Sequence, residues 1–333
     1  MAERRYVDAI REALAEELER DGEVCVLGED VALGGPFGAT RGLADRFGQD
    51  RVRNTPISEA TVMGLAVGAA TMGARPVVEV MFIDFVTLAM DQLVNHAAKL
   101  HYMSGGQLSV PLTVRSTFGA ADGWGAQHSQ SLEAWLMHVP GLKVVMPSCA
   151  SDAKGLLKSA IRDDDPVLCL EHRTLYFTHN DLPDGELLIP LGRAMVRRPG
   201  QDVTVVALSS MVPVTLDVAD RLAGEGVKVE VIDLRSLMPM DLDTIVASVR
   251  KTNRLIVVHE AVTTAGAGAE IAACVQEAAF DYLDCPVIRI GAPFSPVPAS
   301  PVLEHALVPG ADRIKATIRS MLSRRGRGTS HWQ

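Results

Sequence analysis

Residues 143–172, KVVMPSCASDAKGLLKSAIRDDDPVLCLEH, decide the fold. KVVMPS (143–148) is a short apolar run, the pattern of a buried strand. DAKGLLKSAIRD (152–163) carries its apolar residues at helical spacing. VLCLEH (167–172) is a second apolar run. Strand, helix and strand in close succession is the unit of a parallel sheet covered by helices on both faces.

The alternation continues outward in both directions. YVDAIREALAEELER (6–20) predicts an amphipathic helix ended by Asp21-Gly22, and VCVLGED (24–30) a buried strand closing on two acids. The Gly-rich stretch 31–40 predicts a loop, GLADRFG (42–48) a brief helix, and VRNTP (52–56) an extended run. Ser58 to Met72 predicts a helix with small residues at Ala60, Gly64, Ala66, Gly68 and Ala69. RPVVEVMF (75–82) predicts a strand, Asp84 to Leu100 one helix, PLTVRSTFG (111–119) a strand and LEAWLMHV (132–139) a helix.

Periodicity lapses over 174–202, where Asn180, Asp181, Pro183, Asp184, Gly185, Pro190, Pro199 and Gly200 give linker composition. It restarts with strands at 203–209, 227–235, 255–260 and 286–291, alternating with helices at 214–226, 242–252 and 268–283. The expectation is α/β with two doubly wound domains, 1–180 and 203–325, a linker at 181–202 and a flexible tail at 326–333. Residues 313–333 hold no acid and several Arg. That suits a helix with a basic end followed by fraying, or a docking tail.

Composition narrows the function. The 333 residues have a net charge of −9, with 47% hydrophobic and 22% charged residues, which is globular rather than disordered. Acid excess and dispersed Lys and Arg give no nucleic-acid footprint. No apolar run approaches the roughly 20 residues of a membrane span. Met1-Ala2-Glu3-Arg4-Arg5 leads into no signal-peptide core, and the five Cys are scattered without C-x-x-C. Reduced thiols in a cytoplasmic protein are expected.

Few motifs carry chemistry by themselves. Gly266 and Gly268 lie between a strand and a helix, but the full dinucleotide fingerprint is absent, so tight packing accounts for them. The nine His show no metal-ligand spacing. Three places stand out. In Asn54-Thr55-Pro56-Ile57-Ser58-Glu59, Glu59 either complements a helix dipole or sits as a carboxylate at the sheet's carboxyl edge. His128, in Gln127-His128-Ser129-Gln130 after a Gly-rich loop, is either a catalytic group or a solvent-facing one. Arg162-Asp163-Asp164-Asp165-Pro166 is either a solvated turn or a site for a hard cation.

Taken together, LGEDV (27–31), TPISE (55–59), MFIDF (81–85), MDQLVNHAAK (90–99), AQHSQSLEA (126–134), PGLKVVMPS (140–148), the 152–167 stretch, VIDLRSL (231–237) and SVRKT (248–252) resemble a known family over nearly the whole chain. It is the beta subunit of the thiamine-diphosphate-dependent decarboxylating component of 2-oxoacid dehydrogenase complexes. The resemblance implies a thiamine-enzyme pyrimidine-binding domain followed by a transketolase C-terminal-like domain, which serves mainly subunit association.

Residue by residue, the resemblance implies that Glu59 bonds the cofactor's aminopyrimidine ring nitrogen, the Ile57 backbone lies near that ring, and Phe85 packs on it. His128 would line the passage to the reactive thiazolium carbon. Leu112, Ala160, Ile161, Asp163 and Asp165 fall where relatives hold a structural potassium, the first three through backbone carbonyls. Asp165 stands where the family often has Asn. The chemistry is consistent: the cofactor must lose a weakly acidic proton, a carboxyl group on the aminopyrimidine helps remove it, and a His can move protons during acyl transfer.

The family's Gly-Asp-Gly motif for the diphosphate and its divalent ion is absent. The chain is therefore expected to supply half a site. An alpha subunit would bring magnesium and the diphosphate half in an alpha-2-beta-2 heterotetramer, packed on helix 58–72. A lipoyl acyltransferase component would accept the acyl group. Pyruvate is the favoured substrate, with acetoin and branched-chain 2-oxoacids as alternatives. A non-catalytic assembly subunit is a further alternative, against which intact Glu59, Phe85 and His128 argue.

Overall fold

The computed structural model describes residues 2–121 and 123–323. The deciding stretch folds as Lys143–Val145, helix Ala150–Arg162 and Val167–His172, with the two strands adjacent and parallel. Asp152 in its first turn and Arg162 in its last complement the helix dipole. The helix stops at Asp163, three residues ahead of Pro166, whose ring excludes helical backbone just before it. It packs on Tyr6–Arg20, where Lys154 and Lys158 pair with Glu16 at 2.6 and 2.5 Å.

The first sheet has seven strands in the order Ser236–Met238, Lys143–Val145, Val167–His172, Thr113–Phe118, Arg75–Phe82, Val24–Gly28 and Val52–Asn54. All pair in parallel except the first, which is antiparallel and comes from the second half of the chain. Side chains alternate across a strand, and here both faces are buried. Val144, Leu168 and Leu170 enter one core, while Val145, Val167 and Cys169 enter another with Tyr6, Ile10 and Leu14. That is why the strands read as continuous apolar runs.

The second sheet has five strands in the order Ile288–Ala292, Leu255–Val262, Val203–Ala207, Val229–Asp233 and Met195–Arg198. Its Val206, Ile232 and Val257 join the core that holds Val114 and Leu168 of the first sheet. The two halves thus share one hydrophobic layer.

Three expectations differ in detail. The stretch 174–202 contains two strands. His179–Leu182 pairs with Ala2–Arg5, and Met195–Arg198 edges the second sheet in antiparallel fashion. Four-residue strands with half-exposed faces leave too little pattern to read. The helix expected from Asp84 to Leu100 is broken into Ile83–Val86, Thr87–Ala89, Gln92–Ala97 with wide five-residue turns, and Ala98–Met103. The amide of Ala98 reaches back to the Leu93 carbonyl, and apolar spacing over so few turns does not separate this from an α-helix. Helix Met211–Ala223 begins before 214 because Pro213 is tolerated in a first turn. Ala311–Ser323 is helical, and the expected tail at 326–333 lies outside the described residues. Among the described residues, no helix is long and apolar enough to cross a membrane.

Candidate active site

The carboxyl ends of the first sheet's strands deliver the site residues, the edge where open α/β sheets hold ligands. Val24–Gly28 leads to Glu29, Arg75–Phe82 to Asp84 and Phe85, Thr113–Phe118 to the Gly119 loop, and Val167–His172 to Arg173. Opposite them helix Glu59–Thr71 begins, with Glu59 as its first residue.

Glu59, Ile57 and Phe85 line one narrow cleft together with Glu29, Thr55, Glu79 and Met81. Glu59 is half-buried, and among the described residues its carboxylate has no hydrogen-bond or ion-pair partner. A carboxylate at a helix N-terminus facing a cleft, with nothing of the chain bonded to it, fits a ligand's ring nitrogen. Burial, then Asp30 and Glu59, push the Glu29 carboxyl above its ordinary pKa. Glu79 closes the cleft's floor. It pairs with Arg115 at 2.5 Å, and Arg115 also grips Glu171 at 2.9 and 2.8 Å. Burial raises the Glu79 pKa despite that partner.

His128 stands beside this cleft in a cluster of rings. Its imidazole is edge-on to Phe82 at 5.0 Å and to Phe85 at 5.4 Å, with Trp124 at 6.3 Å. Phe37 backs Phe82 and Trp124. Rings at these distances and angles form a firm apolar wall. Two residues on, Gln130 Nε2 donates to Asp84 Oδ1 at 2.8 Å. The structure therefore gathers Glu59, Ile57, Phe85 and His128 at one sheet edge.

Residues 2–178 match the transketolase pyrimidine-binding domain, and 192–314 match the transketolase C-terminal domain. The chain is 48% identical to the pyruvate dehydrogenase E1 component subunit beta-2, mitochondrial, of Oryza sativa subsp. japonica, over 92% of this chain and 83% of that one. It is 45% identical to the acetoin:2,6-dichlorophenolindophenol oxidoreductase subunit beta of Bacillus subtilis (strain 168), over 95% and 96%. The chain belongs to this family of E1 beta subunits. A split-gene transketolase, described as an inactive beta4 tetramer, superposes with a TM-score of 0.79 over 96% of this chain and 98% of that one. At 23% identity that likeness concerns the fold alone.

In this beta subunit the five potassium candidates gather around the turn before Pro166, but the acidic side chains are engaged. Lys143 Nζ binds both Asp163 oxygens at 2.8 Å and Asp165 Oδ2 at 3.0 Å. Arg75 donates to the Ile161 carbonyl at 2.8 Å and the Asp163 carbonyl at 2.7 Å. The Leu112 and Ala160 carbonyls accept from Val167 and Asp163 amides at 2.9 and 3.2 Å. Each carbonyl keeps a second lone pair, so the backbone fits a monovalent cation better than the carboxylates do. Among the described residues, no group of three or more His, Cys, Asp or Glu side chains is placed to hold a metal ion.

Reading the sequence alone missed several neighbours of the site. Arg173 lies 5.1 Å over both Phe82 and Trp124, and its Nη2 donates to Ser129 Oγ at 3.3 Å. Glu260 and Glu304 come from the second half. Arg173 and Glu260 both sit at strand carboxyl ends, and that position was the available signal. Nothing in the pattern marks Glu304 or Trp124.

Proposed function

We propose that this beta subunit supplies the aminopyrimidine half of a thiamine diphosphate site for oxidative decarboxylation of a 2-oxoacid, with pyruvate the preferred substrate. The observation that carries the reading is the shared cleft of Glu59 and Phe85 with His128 edge-on to Phe85. When bound, the cofactor supplies a carbon nucleophile and an electron sink for loss of carbon dioxide.

The chain's own residues have separate tasks. Glu59 holds a proton at the aminopyrimidine ring nitrogen. Phe85 and the Ile57 backbone, which line the same cleft, would hold that ring. His128 moves a proton while the acyl unit passes to the lipoyl group of an acyltransferase component. Phe82, Phe85 and Trp124 pack around the imidazole and fix its orientation. The Leu112, Ala160, Ile161 and Asp163 carbonyls would hold the potassium, with Asp165 held beside them through Lys143.

An alpha subunit brings the diphosphate and magnesium half and completes an alpha-2-beta-2 assembly. Helix Glu59–Thr71 leaves Thr61, Leu65 and Gly68 exposed, with Met72 next in line at helical spacing. Ile57 is 76% exposed and Met72 86%. Exposed Ile57, Leu65 and Met72, on and flanking this helix, support a protein partner there. The cytoplasm suits such a chain.

The reading is tested with the reconstituted alpha–beta pair on pyruvate, acetoin and 3-methyl-2-oxobutanoate side by side. Pyruvate should give the highest kcat/KM. Turnover of acetoin with pyruvate silent would move the chain to the acetoin branch, and no turnover of any of them would make it an assembly subunit.

A further inference from the structure

The second half of the chain reaches into the first half's site through two carboxylates. Glu260, on strand Leu255–Val262, accepts from the Ala120 amide with Oε1 and lies 2.6 Å from His172 Nε2 with Oε2. Ser210 Oγ reaches the same Oε2 at 3.4 Å. Glu304, in helix Pro301–Leu307, accepts from the Gly123 amide at 3.0 Å. Both side chains are buried. Both donor amides belong to the loop that runs from Gly119 to His128.

The loop needs holding. Gly119, Gly123 and Gly125 all take positive φ, and glycine loses more freedom on ordering than any other residue. The contacts around it are close. A Cβ on Gly119 would collide with His172, and one on Gly123 would lie 2.6 Å from the Ala299 carbonyl. At the loop's base the Gly119 amide bonds the Gln130 carbonyl at 3.0 Å, and Arg173 takes the Gly119 carbonyl. The span between is tied to the second half by the two carboxylate bonds. Charge-assisted bonds of this kind are the strong ones, and burial strengthens them further.

We propose that Glu260 and Glu304 are positioning residues: they fix the loop so that the imidazole of His128 stays against Phe82 and Phe85. The C-terminal half then orders the site as well as joining subunits. This rests on the reading of His128 as the group that moves protons in acyl transfer.

The test uses the assembled alpha–beta enzyme carrying Glu304→Ala, Glu304→Gln, Glu260→Gln or Gly123→Ala. Hydrogen–deuterium exchange of segment 118–130 is measured beside kcat, KM and exchange of the cofactor's thiazolium proton. Glu304→Ala should speed amide exchange in the segment roughly ten- to hundredfold. It should lower kcat while KM and thiazolium exchange stay near wild type. Glu304→Gln keeps an acceptor oxygen and should restore both. Gly123→Ala disturbs the same contact from the loop side and should mimic Glu304→Ala if the latter does not assemble. Unchanged segment exchange in both Glu304→Ala and Gly123→Ala overturns the proposal. So does faster exchange with full kcat, provided His128→Gln is impaired. A fully active His128→Gln would instead remove the role given to His128, and segment exchange would still decide whether the carboxylates hold the loop.

Discussion

The imidazole of His128 meets the ring of Phe85 edge-on, with centroids 5.4 Å apart and planes at 84°. This contact joins the Glu59 cleft to the Gly-rich loop, two regions far apart in sequence. It gives the two sides separable tasks. His128→Gln should lower acyl transfer to a lipoyl acceptor by about 10²–10⁴-fold, the usual range for a positioned acid or base. Thiazolium-proton exchange should persist, because Glu59 is untouched. Both steps falling together would mean that His128 is not confined to acyl transfer.

The missing Gly-Asp-Gly motif predicts that the isolated chain does not turn over any 2-oxoacid. Isothermal titration should find thiamine diphosphate with magnesium bound much more weakly by the chain alone than by the alpha–beta pair. Decarboxylation by the purified chain would defeat the half-site reading.

The turn before Pro166 separates two roles. Lys143 pairs with Asp163 and Asp165 whatever ion is present, so Asp163→Asn should lower Tm in potassium and in choline buffer alike. The carbonyls remain, so the gain on moving from choline to potassium should survive in the variant. That gain is about 2.7 kcal/mol when potassium is a hundredfold above its dissociation constant. A wild-type chain that melts equally in both buffers excludes a stabilising potassium at this turn.

His259 is fully buried. Burial lowers its pKa to about 4. The unfolded chain, near 6.5, binds the extra proton first, so this group takes stability away as pH falls from about 6.5 toward 4. Burial of Glu133 pushes its carboxyl up to about 7, which acts in the opposite direction between about 4.5 and 7. The wild-type profile therefore hides both, and the difference between variants exposes them. Denaturant unfolding should show His259→Leu gaining about 2 kcal/mol on wild type between pH 8 and pH 5. Parallel profiles would show that His259 does not titrate across folding.

The first sheet was legible because its strands are buried on both faces and the helices Tyr6–Arg20, Glu59–Thr71 and Ala150–Arg162 that cover it are long enough to show their spacing. VCVLGED, RPVVEVMF and VLCLEH could hardly be anything but interior strands. Glu59 was legible as a candidate from its place between a strand and a helix, and its carboxylate does face a cleft. Two kinds of feature were not legible. Short antiparallel additions such as Met195–Arg198 and Ser236–Met238 depend on partners 33 to 94 residues away in the chain, not on local pattern. The partners of the candidate residues are also set by tertiary contact. No spacing rule brings Glu304 to Gly123, or shows that Lys143 already neutralises the acids of the turn before Pro166.

The central claim is that Glu59 activates the cofactor, and the most direct measurement is thiazolium-proton exchange in the assembled alpha–beta enzyme carrying Glu59→Gln. Gln keeps the size and hydrogen-bonding capacity of Glu but cannot relay a proton. Exchange should slow by about 10²–10⁴-fold, equivalent to about 3–5 kcal/mol of barrier at 1.36 kcal/mol per decade. Tm should barely move, since a carboxylate complementing a helix dipole contributes only about 0.3–1 kcal/mol. Exchange near the wild-type rate in an enzyme that melts much earlier would make Glu59 structural and contradict the account.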